Sequence, residues 1–197
     1  MANEYVTLEE LKGQFPIEAG DDSRDAALNR ARASASRGID RVTGRRFWLD
    51  ADPVQRVFNT RGRIVREVDG DLFLVDDIGS ATGLVVEAGS GTSWTVVTGY
   101  ETSPDNALAD GRPITGLLRV LGSWGTATTR LRVTARFGWP SVPDDIREAA
   151  LIQAARLYKR KDSPEGIIGS AEWGLRNLSR RDPDVWNLIE PYIIPGF

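Results

Sequence analysis

Four closely spaced carboxylates, Asp69, Asp71, Asp76 and Asp77, and a glycine-rich run from Gly83 to Gly91 are the residues whose types and spacing raise the question of chemistry. Clustered carboxylates can hold a hard divalent cation or act as a general acid and base. Here the spacing fits no calcium loop, and Asp69-Gly70-Asp71 has the composition of a hairpin turn. Nothing selects a pair of carboxylates for glycoside chemistry. The glycine run lacks the lysine of a phosphate loop, and no helical pattern follows it. The chain contains no cysteine and no histidine. That removes disulfides, thiolate nucleophiles, Cys/His zinc sites and Ser-His-Asp catalysis, together with the usual proton shuttle near neutral pH. The expectation is a protein that is not an enzyme and carries no cofactor and no metal.

The cations are lopsided, with 22 arginines against 3 lysines. GC-rich coding produces such a bias, and so does selection for bidentate pairing. Arg30, Arg37 and Arg41 cluster on one side of a helix expected from about Ser23 to Thr43, roughly opposite an apolar stripe of Leu28, Ala35, Ile39 and Val42. Three readings stand: a solvated face, a surface pairing with acidic groups of a neighbouring subunit, or a face toward nucleic acid. A net charge of −3 and an isoelectric point near 5.2 argue against a protein that coats nucleic acid non-specifically. Zinc-finger, basic-zipper and RNA-binding aromatic motifs are missing.

The elements that must position these residues follow from pattern. Thr7-Leu8-Glu9-Glu10 has capping-box spacing and starts a short helix. Gly44 is the expected C-cap of the Ser23–Thr43 helix. From Phe47 to Phe137 the period changes to two, with strands expected at Gln55–Phe58, Ile64–Val68, Leu72–Val75, Leu84–Glu87, Trp94–Thr98, Leu117–Leu121 and Thr129–Phe137. Turn signals separate them, Asp77-Ile78-Gly79 among them, and Tyr100–Pro113 reads as an irregular loop of the kind that often makes contacts. Gly138-Trp139-Pro140 and Pro143-Asp144-Asp145 then deliver the last strand into a helix running to about Lys161. Its apolar arc is broad, with Leu151, Ala155 and Tyr158 beside the stripe of Ile146, Ala150 and Leu157, so it has two partners: the second is either the chain's own β insertion or a neighbouring subunit. Ile167–Arg181 shows no period and reads as mobile or ordered by a partner. Asp182-Pro183-Asp184 caps a last short helix, Val185–Glu190. The tail is apolar and aromatic, which is unusual for a terminus, and it docks either on its own domain or on another chain.

The fold class is therefore α+β: a helical bundle body with a β-rich insertion, a small barrel or sandwich, between the two long helices. The expected divisions are 1–47 for the N-terminal helices, 48–137 for the insertion, 138–166 for the long helix completing the bundle, and 167–197 for a C-terminal docking tail. No apolar run reaches the roughly 20 residues of a membrane span, and the polar, acidic N-terminus is unlike a secretory signal.

The order of short motifs carries a resemblance: Gly44-Arg45-Arg46-Phe47, the Pro104-Asp105-Asn106-Ala107 loop, Phe137-Gly138-Trp139-Pro140, Val142-Pro143, Lys159 to Gly166, and a Trp/Tyr-bearing tail. Together these resemble the head-to-tail connector (adaptor) proteins of long-tailed bacteriophages, especially those infecting actinobacteria, over about Tyr5 to Tyr192. The resemblance implies a structural virion protein made in the host cytoplasm and located at the head–tail junction. It implies a ring, typically twelvefold, of neighbouring copies under the phage portal protein, extending the DNA channel and giving the next connector or tail protein a platform. Carried onto this chain, the portal-docking candidates are Trp186, Leu188, Ile189, Tyr192, Ile193 and Phe197. Leu151, Ala155 and Tyr158 become subunit-interface candidates, and Arg30, Arg37 and Arg41 line the channel or pair between subunits. DNA would pass without sequence-specific binding, and no membrane is involved. The large β insertion departs from small helical adaptors. The rival class is a monomeric nucleic-acid-binding module using the same arginine face.

Overall fold

The computed structural model describes residues 3–18, 20–126, 129–160, 167–168, 176–177 and 182–194. The chain is α+β and divides into two units, Met1–Arg45 with Val142–Phe197, and Arg46–Ser141.

The first unit is helical. Helix α1 (Leu8–Lys12) is closed by its capping box: Thr7 Oγ1 accepts from the Glu10 N–H at 3.1 Å, and the Glu10 carboxylate accepts from the Thr7 N–H at 2.7 Å. Helix α2 runs from Asp25 to Thr43, two residues later than the Ser23 start expected. Ser23 is otherwise engaged, because its N–H and hydroxyl both donate to Asp21 Oδ1, at 2.9 and 2.5 Å. Gly44 ends α2 in the left-handed region at φ 69, its N–H reaching the Asp40 carbonyl at 2.9 Å. Leu28, Ala31, Ala35 and Ile39 are buried, but Val42 is 45 % exposed and leaves the stripe. Thr43 takes the buried place and satisfies its hydroxyl on the Ile39 carbonyl at 2.9 Å. Helix α3 (Asp144–Lys159) opens behind an extended Pro143, and helix α4 (Pro183–Ile189) is capped by Asp182, whose Oδ1 accepts from the Asp184 N–H at 3.0 Å. α3 packs on α1, α2 and α4, so helices of its own unit meet its broad apolar arc.

The second unit is organised by one strand. β1 (Val54–Asn59) and β2 (Ile64–Arg66) precede β3, which runs unbroken from Gly70 to Ser90. Two strands separated by a turn were expected over this stretch. The Asp77-Ile78-Gly79 turn signal is instead a place where register shifts, between Leu74 and Ile78 and again between Ile78 and Ser80 and before Val85. Such bulges bend a strand without ending it. The first half of β3 lies between β2 and β6 (Ile114–Val120); the second half lies between β7 (Arg130–Phe137) and β4 (Ser93–Val96). β1 pairs with β7, and β5 (Glu101–Ser103), inside the stretch expected to be irregular, pairs with β6. Among the described residues the ladders follow the order β1-β7-β3-β6-β5 and do not close. In place of a barrel or two separate sheets there is one antiparallel sheet, bent along β3 around a single core. Phe73 and Leu117 from one half meet Val86, Leu131, Val133 and Phe137 from the other, with Phe58 and Trp124. Each such burial stabilises by about 1.5–3 kcal/mol. Trp124 stays buried because its indole N–H is shared by the Asp71 and Leu117 carbonyls, at 2.8 and 3.0 Å.

Beyond β7 the chain turns at Gly138, φ 110, where a Cβ would sit 1.9 Å from the Trp48 carbonyl oxygen. Only glycine fits there. Trp139 is buried against Phe47, ring centroids 5.2 Å apart, and its Nε1–H donates to Asp77 Oδ2 at 3.0 Å. It is a core residue of the β unit. In the helical unit, Ile167–Ile168 (β8) and Arg176–Asn177 (β9) pair antiparallel. The rest of the Ile167–Arg181 expectation, and Phe197, lie outside the described residues.

Candidate functional site

Three of the four carboxylates, those of Asp71, Asp76 and Asp77, are engaged within the fold, and Asp69 is tied by its main chain. Asp76 accepts from Arg56 at 2.7 Å and lies 3.5 Å from Arg63. Asp77 holds the Trp139 indole and, through its main-chain carbonyl, the Gly138 N–H at 2.8 Å. Asp71 faces Arg66 at 3.9 Å, and the Asp69 carbonyl accepts the Leu121 N–H at 2.9 Å. Among the described residues no three acidic groups converge as a metal site would require. Gly83–Gly91 is mostly strand β3, not a phosphate loop. An open pocket of about 340 Å³ is lined by Thr60, Arg61, Arg66, Asp71, Ser123 and Thr126, among others. The Thr60 hydroxyl lies 3.1 and 3.0 Å from the Thr126 and Thr129 carbonyls, so the pocket holds two guanidiniums and a carboxylate without an activated nucleophile.

The arginine face of α2 is not uniform. Arg30 and Arg41 are exposed and have no partner among the described residues. Arg37 is tied down: Nη2 donates to the Asn3 carbonyl at 2.6 Å, Nε lies 3.1 Å from Asp40, and the guanidinium stands 5.9 Å from the Tyr5 ring centroid. Tyr5 in turn donates to Asp40. Arg37 therefore holds the N-terminal segment on α2, and two cations remain for outside contacts.

The C-terminal segment folds back on its own unit as far as Ile194. Arg45 Nε donates to the Tyr192 carbonyl at 2.8 Å, the Ile194 N–H donates to the Thr43 carbonyl at 2.9 Å, and the Tyr192 hydroxyl donates to Asp145 at 3.1 Å. Arg156 and Asp182, 2.9 Å apart, join α3 to the start of α4. Among the docking candidates, Ile189 is buried at 4 % in its own unit, whereas Trp186, Leu188, Tyr192 and Ile193 are half-buried. Among the subunit-interface candidates, Tyr158 is buried against Phe15, centroids 4.9 Å apart, and Leu151 and Ala155 are half-buried.

Four exposed valines and leucines escape sequence reasoning. Val68 and Leu121 are essentially fully exposed, at 107 % and 92 %, on adjacent turns joined by the Leu121–Asp69 hydrogen bond. Leu121 sits at φ 51, a conformation costly for a leucine. Both residues end strands in the sequence reading; the strands in fact stop at Arg66 and Val120. An apolar residue beside Asp-Gly is the signal that marks the first. Val57 and Val96, 55 % and 58 % exposed, sit on the sheet face, where alternation alone does not show which side is covered.

No family model matches the chain, and no curated protein matches its sequence. Solved structures do match. A chain in the neck of an empty gene transfer agent particle, computed with C6 symmetry, is 19 % identical with a TM-score of 0.56, over 96 % of this chain and 90 % of that one. A chain in the virion of a native gene transfer agent particle is 18 % identical with a TM-score of 0.54, over the same shares of the two chains. At these identities the likeness is one of fold, and it spans both the helical and the β unit.

Proposed function

We propose that the chain is a structural neck subunit of a phage-like particle, a head-to-tail connector that forms a ring beneath a portal, extends the DNA channel and offers a platform to the tail. The observation that carries this reading is the end-to-end fold likeness to a chain of a particle neck, 96 % of this chain against 90 % of that one. The carboxylates of Asp71, Asp76 and Asp77 and the glycine-rich run serve the fold, which suits a structural part. The half-exposed side of α4, with Trp186 and Leu188, is the portal-facing candidate, because Ile189 is committed to its own core. Aromatic anchors of this kind often dominate interface energy. Leu151 and Ala155 are the α3 residues left for a neighbouring copy. The experiment is electron microscopy of the full chain mixed with its cognate portal: stacked rings support the reading, and portals that stay bare at saturating chain reject it.

The nucleic-acid-binding reading keeps one supporting observation, the exposed cations Arg30 and Arg41, which have no partner among the described residues. The commitment of Arg37 to Asn3 and Asp40 weakens it, and so does the net charge of −3.

A further inference from the structure

The second half of β3 lies in a four-stranded layer, β1-β7-β3-β4, whose two outer strands have no ladder partner on their far sides among the described residues. Register aligns one row straight across it: Val57 opposite Arg132, Arg132 opposite Glu87, Glu87 opposite Val96. Directly opposed residues project on the same face. The middle of the row is fixed, since Arg132 donates from Nε and Nη2 to the two Glu87 oxygens at 2.6 and 2.5 Å and stands 4.6 Å from the Trp94 ring centroid. The two ends are bare valines, 55 % and 58 % exposed. Exposed edge strands are normally blunted by lysine, proline or a bulge. β1 has none of these: its six-residue register is unbroken, and its one cation, Arg56, is held by Asp76.

Each neighbouring pair in the layer is antiparallel, so β4 runs opposite to β1. A second copy set beside the first in the same orientation therefore brings its β4 antiparallel to β1. We propose that β1 of one copy pairs with β4 of the next, placing Val57 opposite the neighbouring copy's Val96 and continuing one antiparallel sheet from subunit to subunit. The two edges are unlike, so the contact is head-to-tail, the kind that closes into a ring or extends as a filament, whereas a β1–β1 contact stops at a dimer. Opposed β-branched residues are a favourable cross-strand pair. The proposal deepens the connector reading and rests on it for the ring.

The chain has no cysteine, which makes the test clean. Within one copy Val57 and Val96 are three strand spacings apart, about 14 Å, beyond the roughly 7 Å between Cα atoms that a disulfide tolerates. The full-length Val57→Cys/Val96→Cys chain, oxidised at its highest soluble concentration, is expected to give a ladder of trimers and larger species on a non-reducing gel. Either single variant is expected to stay monomeric. Dimers from Val57→Cys alone, or monomer only from the double variant, overturn the proposal. Should the double-cysteine chain misfold, Val57→Lys and Val96→Lys serve instead. Each is expected to lower the assembled mass in mass photometry, and Val57→Lys/Val96→Glu to restore it at low salt; equal mass in all three variants overturns the proposal. A ladder from a chain that never joins a neck keeps the strand pairing and removes the connector. A neck ring whose β1 edges face solvent does the reverse.

Discussion

Arg45 Nε donates to the main-chain carbonyl of Tyr192 at 2.8 Å, tying the Glu190–Tyr192 turn to the residue just past the Gly44 cap. With the Ile194–Thr43 bond and buried Val185 and Ile189, it makes the C-terminal segment part of the helical core as well as a docking candidate. Ile189→Ala is therefore expected to cost about 2–5 kcal/mol, the range for truncating a buried isoleucine, read as a lower denaturant midpoint at unchanged slope.

Substitutions at Trp186 and Leu188 test the proposed docking role separately from folding. Trp186→Ala with Leu188→Ala is expected to keep the wild-type far-ultraviolet spectrum while portal binding falls at least about tenfold, the equivalent of 1.4 kcal/mol. Undiminished binding removes these residues from the portal interface. Deleting 186–197 outright tests stability and docking together and separates neither.

Gly138 cannot carry a side chain. A Cβ would approach the Trp48 carbonyl oxygen to 1.9 Å, at φ 110. Gly138→Ala is expected to destabilise the β unit by about 3 kcal/mol or more, combining backbone strain with a steric clash. A fall in melting temperature checks it, and an unchanged melting temperature refutes the geometry of this turn.

Glu10 supplies a pH dependence. Hydrogen bonds from the Thr7 N–H, then from the Thr7 hydroxyl, then the Arg147 pair at 2.7 Å, hold its carboxyl below the ordinary glutamate value. A depressed folded-state pKa means a contribution fully present above the unfolded value and lost as pH falls through the lower folded one. Allowing for the exposure of this group, Glu10→Gln is expected to cost about 0.5–1 kcal/mol at neutral pH. Its stability is expected to match wild type once the medium is acid enough to protonate both states. A constant gap down to that acidity contradicts the assignment.

Arg30→Ala/Arg41→Ala tests the rival class. The connector account expects neither wild type nor variant to bind duplex DNA measurably at physiological salt. Affinity that weakens steeply with salt and drops in the variant would favour the nucleic-acid module.

The helical unit was largely legible because its signals are local: Thr7 and Glu10 three residues apart, Gly44 after a periodic run, Asp182 before Pro183. The β unit was legible as strands but not as a sheet. Asp77-Ile78-Gly79 carries turn chemistry, and only the long-range ladders to β6 and β7 reveal that the strand continues through it. Val42 and Thr43 exchanged expected burial because a threonine hydroxyl can satisfy itself on the Ile39 carbonyl inside a helix. The exposed ends of the Val57–Val96 row were invisible for a related reason. Alternation gives two faces, and three-dimensional packing alone decides which one is left bare.

The connector reading is tested most directly by electron microscopy of purified particles with symmetry-averaged reconstruction of the neck, alongside mass spectrometry of their proteins. The account predicts this chain among the particle proteins, and a ring of density between portal and tail into which the helical unit and the sheet bent along β3 both fit. Particles lacking the chain, or a neck ring built wholly of another protein, would contradict it.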